Sequence, residues 1–201
     1  ERPLPRETHA FTPVFDFRWP YLGETNRHPE FAARLRVNTV AEAESLGGIT
    51  AQRLISHSFG EQLPVAKYGA EHPEYFALVQ GERRLQAFGG GPQPCLTNPE
   101  VLDLVTRSVL EEIAAHPDRR NVSVSQTDND LYCRCPACET VNQAEGSPMG
   151  TQLAFVNAVA ERVAERQAGT QIGTLAYWHT RKPPARLRPG VAATRARSAR
   201  R

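Results

Sequence analysis

Between Gln126 and Asp130 the chain reads Gln-Thr-Asp-Asn-Asp, two carboxylates and three neutral hydrogen-bonding side chains in five consecutive positions. A carboxylate just past a buried strand is partly desolvated, which raises its pKa and suits it to general-acid work. Glycoside hydrolysis uses two carboxyl groups about 5–9.5 Å apart across the scissile bond. Asp128 and Asp130 are therefore the candidate catalytic carboxylates. The same run also makes a plain turn through side-chain-to-backbone hydrogen bonds, so its chemistry depends on where the fold sets it.

A second constellation follows at once. Cys133, Cys135 and Cys138 put three thiols into six residues, and Cys95 is the only other cysteine. The Cys-x-x-Cys spacing of 135–138 is that of a zinc-binding turn, and four thiolates would complete a closed tetrahedral site with no open position for catalysis. Two disulfides in an exported protein are the alternative. Either arrangement is structural and staples the loop after one strand to the loop after its neighbour. No cofactor for catalysis is implied. His57 and His179 could hydrogen-bond sugar hydroxyls, and Arg18 could pair with a carboxylate, either a substrate's or Asp16. Tyr177 and Trp178 could offer a stacking face to a sugar ring, though aromatics so placed also serve as rim or core packing.

These residues need elements to position them. Thr12–Trp19 and Leu54–Ser58 read as strands, and Pro29–Val37 as a helix with Pro29 at its first position. A long irregular stretch with a turn at Gly81 leads to the Gly89-Gly90-Gly91-Pro92 loop. Pro94–Leu96 is a short strand, then Thr97 or Asn98 caps a helix striped by Leu102, Val105, Val109 and Ile113. Asn121–Ser125 is a strand, 126–147 a polar, Cys-bearing loop, and Leu153, Val156, Ala160 and Val163 stripe another helix. Ile172–Tyr177 is the last strand. Strand, helix, strand, helix, strand is the order of βαβ units around a parallel sheet. Ligand groups gather at the C-terminal ends of such strands. Arg18, His57, 126–130 and 177–179 each follow an expected strand.

Bulk properties narrow the class. With 201 residues, 40% of them hydrophobic, the chain can bury a core, and its mean hydropathy is −0.48. No apolar run approaches the ~20 residues that span a membrane. The net charge of +2 conceals an asymmetry. Residues 181–201 hold eight basic and no acidic residues, leaving 16 basic and 22 acidic elsewhere, a net −6. The basic end is rich in Ala and Arg without aromatics, which describes a disordered or artefactual tail over 185–201 rather than a nucleic-acid arm.

The segments HPEYFALVQGERR, CLTNPEV, VSVSQTDND with YCRCPAC, AFVNAVAERV and TLAYWHTRKPP, in that order, resemble the bacterial DUF4838 family of domains over roughly residues 15–184. That resemblance implies a (β/α)8 barrel, of the kind found in proteins like α-glucuronidases and other barrel glycosidases, acting on polysaccharide-derived sugars in exported proteins. No signal peptide stands in this chain. A complete barrel takes about 250 residues, and at most five strands are visible, so the expectation is an α/β domain over 1–184, a partial TIM-type barrel of parallel strands whose C-terminal part is missing.

The functional expectation is a glycoside-hydrolase-like domain with Asp128 as acid/base and Arg18, His57, Gln126, Asn129, Tyr177 and His179 lining the sugar site. A non-catalytic carbohydrate-binding domain and a zinc-stabilised interaction module are the rivals.

Overall fold

The computed structural model describes residues 12–14, 18–20, 22–38, 44–46, 55–119, 121–188, 190 and 193–198, the last six as backbone alone. The chain divides into two units, Glu1–Thr50 and Ala51–Arg201. In the first, helix α1 (Gly23–Arg27) is followed by α2 (Pro29–Arg34), with Pro29 at the first position as expected. The expected strand over Thr12–Trp19 falls partly outside the described residues. Those described at its two ends adopt no strand. Arg18 belongs to this unit, where its backbone N–H donates to Asn38 Oδ1 (2.9 Å) and its Nε to the Arg36 carbonyl (3.1 Å).

The second unit opens with two single-turn helices, α3 (Phe59–Gln62) and α4 (Val65–Tyr68). A hairpin of β1 (Leu78–Val79) and β2 (Glu82–Arg83) follows. Its two loop residues, Gln80 and Gly81, have φ of 54° and 84°, the left-handed pair that lets strands with right-handed twist meet. Then come α5 (Pro99–Ala115), β3 (Asn121–Ser123), α6 (Pro136–Glu145), α7 (Met149–Ala164), β4 (Gln171–Ala176) and β5 (Ala193–Ser198).

Helix α5 starts where Asn98 accepts the N–H groups of Glu100 and Val101, with Pro99 next in line. Val101, Val105, Val109 and Ile113 bury one stripe, one residue earlier at its start than the Leu102 expected. Helix α7 buries Leu153, Val156, Val159, Ala160 and Val163. Both stripes join one core with Val122, Val124 and Ile172 of the strands, and Phe59 meets Phe155 edge-on at 5.8 Å. Each such side chain contributes about 1.5–3 kcal/mol on leaving water.

The strands form a parallel sheet in the order β3-β4-β5, with Val122 opposite Ile172. The fold is mixed α/β, as expected, but no barrel closes among the described residues. Two expected strands explain the shortfall. Residues 55–58 run beside β3 without a backbone ladder, because the Ser123 hydroxyl takes both the Ser56 N–H (3.2 Å) and the Ser56 carbonyl (2.5 Å). Pro94–Leu96 yields only an isolated antiparallel bridge, Phe76 with Pro94. The loop expected over 126–147 contains α6, whose Pro136 start and left-handed Gly146 end (φ 64°) are sequence signals for a helix.

The basic segment 185–201 lacks apolar periodicity, yet its described residues are tied down. The buried Glu145 carboxylate accepts the N–H groups of Arg186 (2.8 Å) and Leu187 (3.0 Å), and Asn157 pairs with the Arg188 carbonyl and the Gly190 N–H, both at 2.9 Å. β5 then lies parallel to β4. The Leu187 and Arg186 amides hold the Glu145 carboxyl below its ordinary range. Its stabilising effect is therefore present above the unfolded carboxylate pKa of about 4.3 and is lost as pH falls through the lower folded value. Urea unfolding should find Glu145→Ala less stable than wild type at pH 7, with the gap shrinking below about pH 4. A gap that persists unchanged at pH 3 would remove this carboxylate from the account.

Candidate functional site

The end of β3 runs into Ser125–Asp130, and two glycines let the 89–91 loop close on it. Asp128 N–H donates to the Gly89 carbonyl at 2.6 Å. Gly89 has φ +67°, and a Cβ there would lie 2.1 Å from the Asp128 oxygen; one at Gly60 would meet the Gly90 oxygen at 2.2 Å. Backbone against backbone leaves no side chain to move aside, so glycine is required at both positions. Gln93 completes the frame. Its amide N–H groups reach the carbonyls of Thr127 (3.0 Å) and Asn129 (2.9 Å), and its oxygen accepts from Thr127 N–H (3.2 Å).

Four side chains then meet. His57 Nδ1 donates to the Gln126 carbonyl at 2.6 Å, which turns Nε2 toward Asp128 Oδ1, 3.7 Å away. This is an ion pair whenever the imidazole carries its second proton. Trp178 Nε1 donates to the same Oδ1 at 2.9 Å. Tyr177 tilts against His57 at 5.7 Å and meets Trp178 edge-on at 5.6 Å. Trp178 sits at φ +50°, a conformation that strains a bulky residue by about 1–3 kcal/mol and that gathers at functional sites. An open cleft of about 290 Å³, lined by His57, Gly60, Glu61, Gly90 and Thr127, adjoins the cluster.

Of the residues expected from sequence, Asp128, His57 and Tyr177 are thus brought together. Asn129 is fully buried beneath them: its amide N–H groups bond the carbonyls of Phe88 and Gly91, and its oxygen accepts from Leu131 N–H and Gln93. Gln126 is equally buried and donates to the Tyr177 carbonyl and the Thr180 hydroxyl, both at 2.7 Å. These two side chains hold the site's backbone. Asp130 is exposed outside the cluster, and Arg18 belongs to the N-terminal unit. Sequence reasoning missed Glu61, four residues past His57 in Ser-Phe-Gly-Glu-Gln, and Phe88, which leads into the glycine loop.

The second constellation also assembles. The Sγ atoms of Cys95, Cys133, Cys135 and Cys138 all lie within 4.8 Å of one another, and all four residues are buried. They are free thiols, with Cys95 and Cys135 sulfurs 3.7 Å apart, far beyond the ~2.05 Å of a disulfide. Four metal–sulfur bonds of ~2.3 Å make a tetrahedron with edges of about 3.8 Å, so the spacing fits a metal. Cys135 caps α6 and Cys138 sits in its first turn, while Cys95 precedes α5. Leu78 N–H donates to Cys133 Sγ at 3.3 Å, and Thr97 Oγ1 stands 3.2 Å from Cys138 Sγ. Hydrogen bonds from Cys133 and Cys138 pull the Cys95 thiol far down, and Cys133 and Cys95 push that of Cys138 far up. The four sulfurs could all be thiolates together only with a cation among them.

A family model described as Domain of unknown function (DUF4838) matches residues 3–193. The chain belongs to the DUF4838 family. No curated protein and no solved structure matches it. The DUF4838 match spans both constellations and continues past Pro184 through the segment held by Glu145 and Asn157. Among the described residues no helix is long and apolar enough to cross a membrane.

In this DUF4838 chain His179 stands apart from the strand-end cluster. Its ring stacks on Tyr132 at 4.7 Å, and it lines a small cavity of about 20 Å³ with Gln93, Gln152 and Cys138. Burial lowers its pKa from 6.5 to about 4, against the opposing charge of Asp130. Between those two values the unfolded chain binds a proton that the folded chain refuses, so stability falls as pH drops from about 6.5 toward 4. The loss amounts to about 3 kcal/mol. Denaturant melts of wild type and His179→Gln from pH 7.5 to 4.5 should converge as pH falls; parallel curves would show that burial does not keep this ring neutral.

Proposed function

We propose that the strand-end cluster of this DUF4838 chain is a sugar site of glycoside-hydrolase-like type, with Asp128 as its acid/base carboxylate. One observation carries the reading. An exposed indole is strapped by its own N–H to a half-buried carboxylate beside a histidine, at the edge of a cleft. A pyranose presents the matching chemistry, an apolar face for the Trp178 ring and hydroxyls for Asp128 and His57. Trp178 and His57 both engage Oδ1, and Oδ2 has no protein partner among the described residues. Glu61, which lines the same cleft, is the second carboxyl that hydrolysis requires. A panel of aryl glycosides and polysaccharides, followed by reducing-sugar release, tests the assignment. Asp128→Asn should cut turnover at least about 100-fold with an unchanged melting temperature. Undiminished turnover in that variant removes Asp128 from catalysis.

A second reading has its own support. Asp128 is the only carboxylate in contact with the aromatic cluster among the described residues, which suits a non-catalytic sugar-binding domain. That reading is favoured if Trp178→Ala abolishes glycan binding while no variant or wild type releases sugar.

We also propose that the four cysteines hold a structural zinc ion. They offer a complete four-sulfur donor set, so the metal would fasten the loop before α5 to the start of α6 without an open position for substrate. Protein purified without chelator should contain one zinc per chain by elemental analysis. Removing it should lower the melting temperature by roughly 10 °C. Metal at trace level and a melting temperature indifferent to chelator would refute the zinc centre.

A further inference from the structure

Only two large apolar side chains are exposed among the described residues of the Ala51–Arg201 unit, Phe88 at 64% and Trp178 at 46%. Both flank Asp128. Trp178 holds the carboxylate directly through its indole N–H. Phe88 is anchored through its own carbonyl, which accepts from Asn129 Nδ2 at 2.9 Å, while the next carbonyl, that of Gly89, accepts the Asp128 N–H. The two residues are therefore held beside the Asp128 segment by separate anchors, one just after β4 and one at the start of the glycine loop. Neither is a loose surface residue. Trp178 is kept in its left-handed conformation by Thr180, whose N–H donates to the Tyr177 carbonyl and whose hydroxyl accepts the Tyr177 N–H. Phe88 precedes three glycines with φ of +67°, +91° and +104°, a backbone that turns at once back into the protein and leaves the ring outside.

We propose that Phe88 is a second sugar-stacking position, so that the ligand is an oligosaccharide of at least two rings crossing Asp128. This rests on the sugar-site reading above and names its substrate class. Trp178 and Phe88 are held by independent anchors on different loops, and a chain of two sugar units would let each ring take a pyranose face of its own. The polar groups belong to the space beside them. His57 and Glu61 line the adjoining cleft, where the hydroxyl edges of a chain would find donors and acceptors. Exposed aromatic faces on rigid backbone lose little conformational freedom on binding.

The experiment uses the full chain and a length series of one to five rings of β-1,4-linked glucose, xylose and N-acetylglucosamine, titrated by calorimetry. Affinity should rise from one ring to two or three and then level off. Phe88→Ala should weaken the longer ligands by roughly fivefold to tenfold and leave the single sugar unchanged, whereas Phe88→Tyr should restore the length dependence. Trp178→Ala should weaken every length. Circular dichroism and melting temperature confirm that each variant is folded. Affinity independent of length, or Phe88→Ala matching wild type on every ligand, overturns the second position and leaves the sugar site standing. Binding of no saccharide at any length overturns the sugar site and this inference with it. Should Phe88→Ala instead abolish a self-association seen by sedimentation, the ring is a protein contact and the proposal fails.

Discussion

The Asn129 side chain is the joint on which the candidate site depends. Its two N–H groups and its oxygen are all spent, tying the loop after β3 to the carbonyls of Phe88, just before the glycine run, and Gly91, its last member, and to Gln93. The Asn129 amide itself is out of water, so a partner lost would leave it unsatisfied at a cost of about 1–3 kcal/mol. The position of Asp128, the exposure of Phe88 and the left-handed path of residues 89–91 all follow from that joint. A buried amide thus builds an exposed carboxylate site, although by residue type Asn129 looks like the ligand and the glycines like mere linker.

The two constellations are neighbours through one stacked pair. Tyr132, next to Cys133, lies on the ring of His179, next to Trp178. The stack and the small cavity beside it separate the cysteine cluster from the aromatic cluster. Burial explains why these rings do different work. The His179 ring is driven neutral by desolvation, while the His57 ring keeps one nitrogen on a carbonyl and the other facing a carboxylate at the surface.

The framework was legible where the signal is local. The Asn98-Pro99-Glu100 start of α5, the apolar stripes of α5 and α7, and the strands at 121–125 and 172–177 all appear close to where periodicity and capping place them. The strand count was not legible. It depends on whether an expected strand finds a ladder partner, and at Ser56 a serine hydroxyl took the backbone groups that a neighbouring strand would have used. Helix α6 was hidden because its cysteines and polar residues read as a loop, although Pro136 and Gly146 bracket it.

By itself the sequence determined which residue types could carry chemistry and that four thiols were available for one centre, since side-chain chemistry and short spacings are written in the chain. It also determined the family, through an ordered series of segments. Tertiary structure alone decided that Cys95 closes on a cluster some forty residues away. It also decided that His57, Asp128, Tyr177 and Trp178 share one surface while Gln126, Asn129 and His179 do not. The reason is that a polar side chain past a strand can turn outward to solvent or inward to unpaired backbone. That choice depends on which distant carbonyls the fold leaves in need of a donor.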